Sequence, residues 1–197
     1  GTLLIIGFFA GVLFWGSFNW AVVASNDQRF CISCHVMRDN AYAEFVGTPH
    51  HMTPSGVGAT CADCHVPRQW LPKMVRKAQG ARELYHYIIG TIDTPEKYEA
   101  HRAVMAQRVW DQMTANDSAE CRSCHLEERF DYSRMSVAAA TIMKEGLARG
   151  ETCIDCHKGI AHRLPDMTGG FTRMYRDLTA AAERQGGAGN PLFPITT

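Results

Sequence analysis

Apolar positions along this 197-residue chain are concentrated at its start. Leu3 to Ala24 is apolar except for Ser17, Asn19 and scattered glycine, and the first 26 residues carry no charged side chain. At about 1.5 Å of rise per residue, such a run spans roughly 33 Å as a helix, enough for a hydrocarbon core of about 30 Å. A transmembrane helix is predicted over residues 1–25. A secretory apolar region is usually about 7 to 15 residues long and followed by a small-residue cleavage site, so this longer run reads as a retained anchor. Trp15, Phe18 and Trp20 fit an interfacial aromatic belt. No Lys or Arg precedes the segment, and its orientation is not set by flanking charge.

The remaining pattern is helical and sparse. No stretch alternates β-branched residues for long, which argues against a sheet. From about Leu71 to Ile89, Met74, Ala78, Ala81, Tyr85 and Ile88 or Ile89 recur at helical spacing, with Pro72 tolerated in the first turn. A second helix starts with Thr94 as cap, Pro95 at the first helical position and Glu96 at the positive end of the dipole; Tyr98, Met105, Val109 and Met113 share one face. A third runs from about Ser136 to Ala148, and a fourth from Phe171 to Glu183, before a loose Gly186–Gly189 tail. Arg68, Lys73, Arg76, Lys77 and Arg82 stand within 15 positions, with no acid until Glu83. A solvated face is the ordinary reading. Beside a bilayer, each such charge is attracted to anionic headgroups by about 1 kcal/mol, which predicts that this helix lies at the membrane surface.

Composition narrows the chemistry. Twenty basic residues balance twenty acidic ones, so nothing favours a nucleic-acid partner, which needs a basic face. All eight cysteines fall into four pairs, each followed by histidine: Cys31-Ile-Ser-Cys34-His35, Cys61-Ala-Asp-Cys64-His65, Cys121-Arg-Ser-Cys124-His125 and Cys153-Ile-Asp-Cys156-His157. Zinc ribbons, thioredoxin-like pairs and disulfide frameworks do not require that histidine. Histidine is 9 of 197 residues, so chance would fill all four positions a few times in a million. Cys-x-x-Cys-His is the attachment signature of c-type haem: two thiols form thioethers and the adjacent imidazole ligates the iron. Four covalent haems are expected, attached on the outer face of a bacterial inner membrane, and they must supply much of the core of a domain over residues 26–197.

The motifs start at 31, 61, 121 and 153, as two di-haem units would space them. A shift of 90 superposes Cys-x-Ser-Cys-His at 31 and 121 and Tyr42 on Tyr132. A shift of 92 superposes Thr-Cys-x-Asp-Cys-His at 60 and 152. His51 and His50 precede Cys61 by 10 and 11 residues, and Met143 precedes Cys153 by 10, which makes Met143 a candidate axial ligand. The expected fold is therefore mainly α: one transmembrane helix and a small, loop-rich multihaem domain.

Cys-Ile-Ser-Cys-His-x-Met-Arg-Asp-Asn at 31–40, Thr-Cys-x-Asp-Cys-His-Val-Pro at 60–67, Lys-Met-Val-Arg-Lys at 73–77, Gly-Thr-Ile-Asp-Thr-Pro-Glu-Lys at 90–97 and Cys-Ile-Asp-Cys-His-Lys-Gly-Ile-Ala-His at 153–162, behind an anchor, resemble the NapC/NirT/NrfH family of membrane-anchored tetrahaem quinol dehydrogenases. The resemblance implies quinol oxidation in the membrane and electron relay through four haems to a periplasmic partner, such as a nitrate or nitrite reductase. Quinone reduction in the reverse direction, or an electron-transfer anchor without a quinone site, are the alternatives.

The same resemblance implies His50 and His162 as distal ligands, with His51 a substitute for His50. It implies Met37 as a ligand of the first haem, whose other face is open towards quinol, and Asp93 as the acid approaching that face. Quinol oxidation releases protons, which a carboxylate or imidazole can accept; Asp93 is otherwise a helix cap before Thr94-Pro95. His86 or Tyr87 stands where relatives have a lysine beside the quinol. Near position 143 the family pattern has a histidine and this chain has Ile142-Met143. Met143 is either a ligand, which would raise that haem's potential, or a core residue, with His86 or His101 serving instead.

Overall fold

A computed structural model describes residues 1–165. The fourth predicted helix and the Gly-rich tail lie outside the described residues, within which there is no strand. The apolar run forms one helix, α1 (Thr2–Ala24), 23 residues long, with mean hydropathy 1.7 and no part buried against protein. It is long and apolar enough to cross a membrane. Trp15 and Phe18 stack near its end.

Five short helices carry the cysteine motifs or the chain between them among the described residues: α2 (Gln28–Cys31), α3 (Ala43–Val46), α4 (Cys61–His65) and two described with the second unit. A π-helical stretch, Met37–Tyr42, runs into α3, and Asn40 Nδ2 donates to the Val36 carbonyl at 2.8 Å within it. The longer helices are α5 (Trp70–Ile88) and α6 (Pro95–Ala115), close to the two predicted. Thr94 is the cap of α6: its hydroxyl accepts from the Lys97 amide at 3.3 Å. Asp93, the alternative cap, instead pairs with the Lys97 ammonium at 2.7 Å.

The chain divides inside α6 into two compact units. Unit 1 comprises residues 1–101 with 160–162 and holds the first two motifs. Its buried apolar residues include Val36, Ala41, Phe45 and Tyr98. Lys77 of α5 donates to the Ser25 hydroxyl at 2.8 Å, which ties α5 to the end of α1.

Unit 2 comprises residues 102–159 and the segment from Arg163, and holds the last two motifs. Its remaining helices are α7 (Ala119–Arg122), α8 (Val137–Ala148) and α9 (Cys153–Cys156). Ser136 caps α8, its hydroxyl accepting from the Ala139 amide at 3.2 Å, as the predicted start requires. Trp110, Met113 and Ile154 are buried, and the buried Arg102 donates to the Arg163 carbonyl at 3.1 Å. This is little apolar core for a domain, and prosthetic groups would have to complete it.

Candidate haem sites

In each unit one motif follows a helix and the other begins one. The first cysteine of motifs one and three comes at or just inside the end of a four-residue helix, α2 or α7. The first cysteine of motifs two and four starts α4 or α9. The Thr-Cys-x-Asp repeat explains the second arrangement. Asp63 Oδ2 accepts from the Thr60 amide at 2.8 Å and hydroxyl at 2.7 Å, and Asp155 Oδ2 accepts from the Thr152 amide and hydroxyl, both at 2.8 Å. Each pair is a capping box. The Asp inside the motif thus caps the helix that carries its own cysteines.

None of the eight cysteines is joined in a disulfide. In unit 1 the Cys31 and Cys61 thiols hydrogen-bond each other, which draws Cys31 down to about 7 and pushes Cys61 up. In unit 2 burial raises the Cys121 thiol, and Cys153 is near enough to add to that rise. The first cysteines of both motifs therefore approach each other in both units. Among the described residues no three His, Cys, Asp or Glu side chains converge on a metal position.

Unit 1 contains a small cleft of about 60 Å³. Cys31, Met37, Tyr42, Phe45, Cys61, Cys64, His65 and His162 line it. The His65 and His162 rings lie 6.1 Å apart between centroids and within 29° of parallel. That spacing leaves room for one metal atom held by a nitrogen of each ring at about 2 Å. Burial, with the charges of His162 and Arg76 adding, lowers His65 to about 4 and keeps it neutral, the form a ligand needs. The donor set, two cysteine pairs beside two imidazoles and apolar side chains, suits haem c. The residues brought together here, His65 and His162, are 97 positions apart in sequence.

The other predicted residues are distributed as follows. His51 packs edge-on to Phe45 at 5.2 Å and Tyr42 at 6.0 Å, with its buried Nδ1 lacking a hydrogen-bond partner; His50 is half-buried beside it. His35 is exposed, 5.9 Å from the Tyr87 ring. His86 lies 3.4 Å from the Thr91 hydroxyl, and exposed His101 bonds the Lys97 carbonyl of its own helix at 2.8 Å. Met143 is half-buried on α8, and His125 and His157 are exposed. Tyr132 does not repeat the setting of Tyr42: it lies beneath the Lys144 ammonium, 4.6 Å away.

Lys97 is a site residue that sequence reasoning missed. Its ammonium bonds both Asp93 at 2.7 Å and the Gly90 carbonyl at 2.7 Å. That hydrogen bond holds the Asp93 carboxyl below its usual range, and the charge of nearby His35 acts in the same direction. Gly90 has φ +77°, and a Cβ there would stand 3.3 Å from Asp93 Oδ2, so glycine both makes the turn after α5 and leaves room for the carboxylate. The i,i+4 spacing of Asp93 and Lys97 was the available signal.

Residues 1–167 match the NapC/NirT cytochrome c family, N-terminal region. The chain belongs to that family. It is 52% identical over 167 residues to the cytochrome c-type protein NapC of Escherichia coli strain K12, covering 85% of this chain and 84% of that protein. It is 50% identical over 166 residues to the denitrification system component NirT of Stutzerimonas stutzeri, covering 84% and 83%. A protein of Allochromatium vinosum named as a tetraheme cytochrome-c type is 44% identical over 166 residues, covering 83% and 90%. No solved structure matches. As a member of the family the chain is a haem-bearing c-type cytochrome that transfers electrons.

Proposed function

We propose that this NapC/NirT-family cytochrome holds four haems, two in each unit, oxidises quinol at unit 1 and passes the electrons to a periplasmic redox partner such as a nitrate or nitrite reductase. α1 anchors it in the inner membrane with the haem domain on the periplasmic side, where thioether attachment takes place. When bound, the haems supply one-electron acceptors in series, so that a two-electron donor can be oxidised stepwise.

The eight motif cysteines fix the groups covalently. His65 with His162 holds the second haem. His35 and Met37 serve the first, His125 and His157 the third and fourth, and His50, with His51 beside it, and Met143 supply further distal ligands. The observation that carries the quinol reading is the end of unit 1 where Asp93, ionised by Lys97, lies within electrostatic reach of His35, beside Tyr87. Each quinol gives up two electrons and two protons; Asp93, held deprotonated at rest and oriented by Lys97, can take a proton transiently at its free oxygen and release it to water. His86, on the same turn, is a second proton acceptor.

The test is haem reduction by a quinol analogue in the membrane-reconstituted holoprotein. Asp93→Asn is expected to slow reduction by about 10²-fold or more, with four haems per chain and unchanged reduction by dithionite. Reduction at the unaltered rate would mean that no proton acceptor of this kind operates, and would favour an electron-transfer anchor without its own quinone site.

A further inference from the structure

Helix α5 is amphipathic with the unusual feature that its apolar side faces outward. Trp70 is 57% exposed, Leu71 66%, Val75 51% and Ile88 71%, and no residue of the helix is buried. In water a continuous apolar strip of this kind signals a surface meant to be covered. Arg76 and Tyr87 lie opposite this strip, Lys77 and His86 at its edges, and all four are half-buried. Helical spacing places Lys73 and the exposed Arg82 along the two margins of the apolar strip.

Two observations say what covers it. Lys77 bonds Ser25, the residue after α1, at 2.8 Å, so the middle of α5 is held at the level where the membrane-crossing helix ends. The helix and the residue before its cap carry five cations and a single acid, Glu83, which is paired with Arg76 at 3.1 Å. An apolar face bordered by cations, tied to the end of a membrane span, is the pattern of a helix lying in the headgroup region.

We propose that α5 is an interfacial helix whose apolar strip enters the acyl–headgroup boundary and whose margin cations, Lys73 and Arg82, bind anionic phospholipid headgroups. The inference rests on α1 crossing the bilayer. It deepens the quinol reading, because α5 ends in the His86–Tyr87 turn that leads to Asp93: a helix seated in the interface holds that turn at the depth of the membrane quinol pool.

The experiment uses the full-length holoprotein in nanodiscs of phosphatidylcholine, with or without phosphatidylglycerol, each containing a trace of lipid with a diazirine in its acyl chain. After photolysis, labelled residues are mapped by peptide mass spectrometry. The expected result is label on α1 in both discs, and label on residues 70–89 that rises severalfold with phosphatidylglycerol. Lys73→Gln with Arg82→Gln should abolish that rise while the haem count stays at four. Label on α1 with none on residues 70–89, or label there that ignores phosphatidylglycerol, overturns the proposal and leaves the quinol reading standing. Absence of label from α1 as well would overturn the anchor on which both rest.

Discussion

In unit 1 the helix entering the first motif is capped by Asp27, an exposed carboxylate that accepts from the Arg29 amide at 2.8 Å and pairs with its guanidinium at the same distance. In unit 2 the corresponding helix begins at Ser118, which is fully buried, left-handed at φ 50°, and accepts the Ile154 amide on its hydroxyl at 3.1 Å. The same turn therefore begins a surface helix in one unit and joins two motifs in the other. The second motifs are capped alike in both units by Thr and Asp. The units differ again ten residues before the second cysteine pair, where unit 1 has His51 and unit 2 has Met143. The parts alike in the two units are those that present thiols. The parts that diverge are those that would set what each haem can do, because axial ligands and their surroundings tune potential.

The largest effects should come from the ligand candidates. His162→Ala removes one of the two imidazoles facing each other across the unit 1 cleft and should alter the optical and EPR spectrum of one haem. Met143→Leu should alter a different haem, and Met143→His should lower one midpoint potential in a redox titration. If Met143 only packs, Met143→Leu conserves volume, costs under about 1.5 kcal/mol and leaves every haem signal in place; the contrast with His51 then loses its meaning.

Ser118→Ala should cost about 1–3 kcal/mol in chemical denaturation, because it leaves the Ile154 amide buried and unsatisfied. Thr60→Ala and Thr152→Ala remove equivalent caps and should each cost about 0.5–2 kcal/mol, by similar amounts if the two boxes are equivalent. A large inequality would show that one unit depends on its cap and the other does not.

The smallest effect concerns Asp27, whose carboxyl is held at about 2 chiefly by its hydrogen bonds to Arg29. A folded value below the unfolded one of about 3.9 gives a stabilisation that is present above pH 4 and lost as pH falls towards 2. Asp27→Asn should remove that acid limb from a denaturation series and change little at pH 7, since both partners are exposed.

Much of this was legible in the chain. Pro95, Thr94 and Ser136 mark helix starts by local chemistry, and the extent of α5 followed from spacing. Spacing could not say what a stripe faces: Leu71 and Ile88 have the periodicity of a core and are exposed. The His65–His162 approach depends on the return of residues 160–162 to unit 1, which no local signal encodes. Asp93 directly precedes Thr94-Pro95 and so has the position of a cap, while its partner depends on the Gly90 turn, which brings Lys97 back to the carboxylate. The π-helical stretch at Met37–Tyr42 had no sequence signature, although such departures from α geometry are frequent at functional sites.

The central claim is that unit 1 contains one haem open to quinol while the other haems are closed by two ligands. Low-temperature EPR of the oxidised, membrane-reconstituted holoprotein, with and without a quinone analogue, tests it most directly. The account predicts one high-spin ferric signal beside three low-spin ones, with only the high-spin signal changing when the analogue binds. Four low-spin haems that ignore the analogue would contradict it.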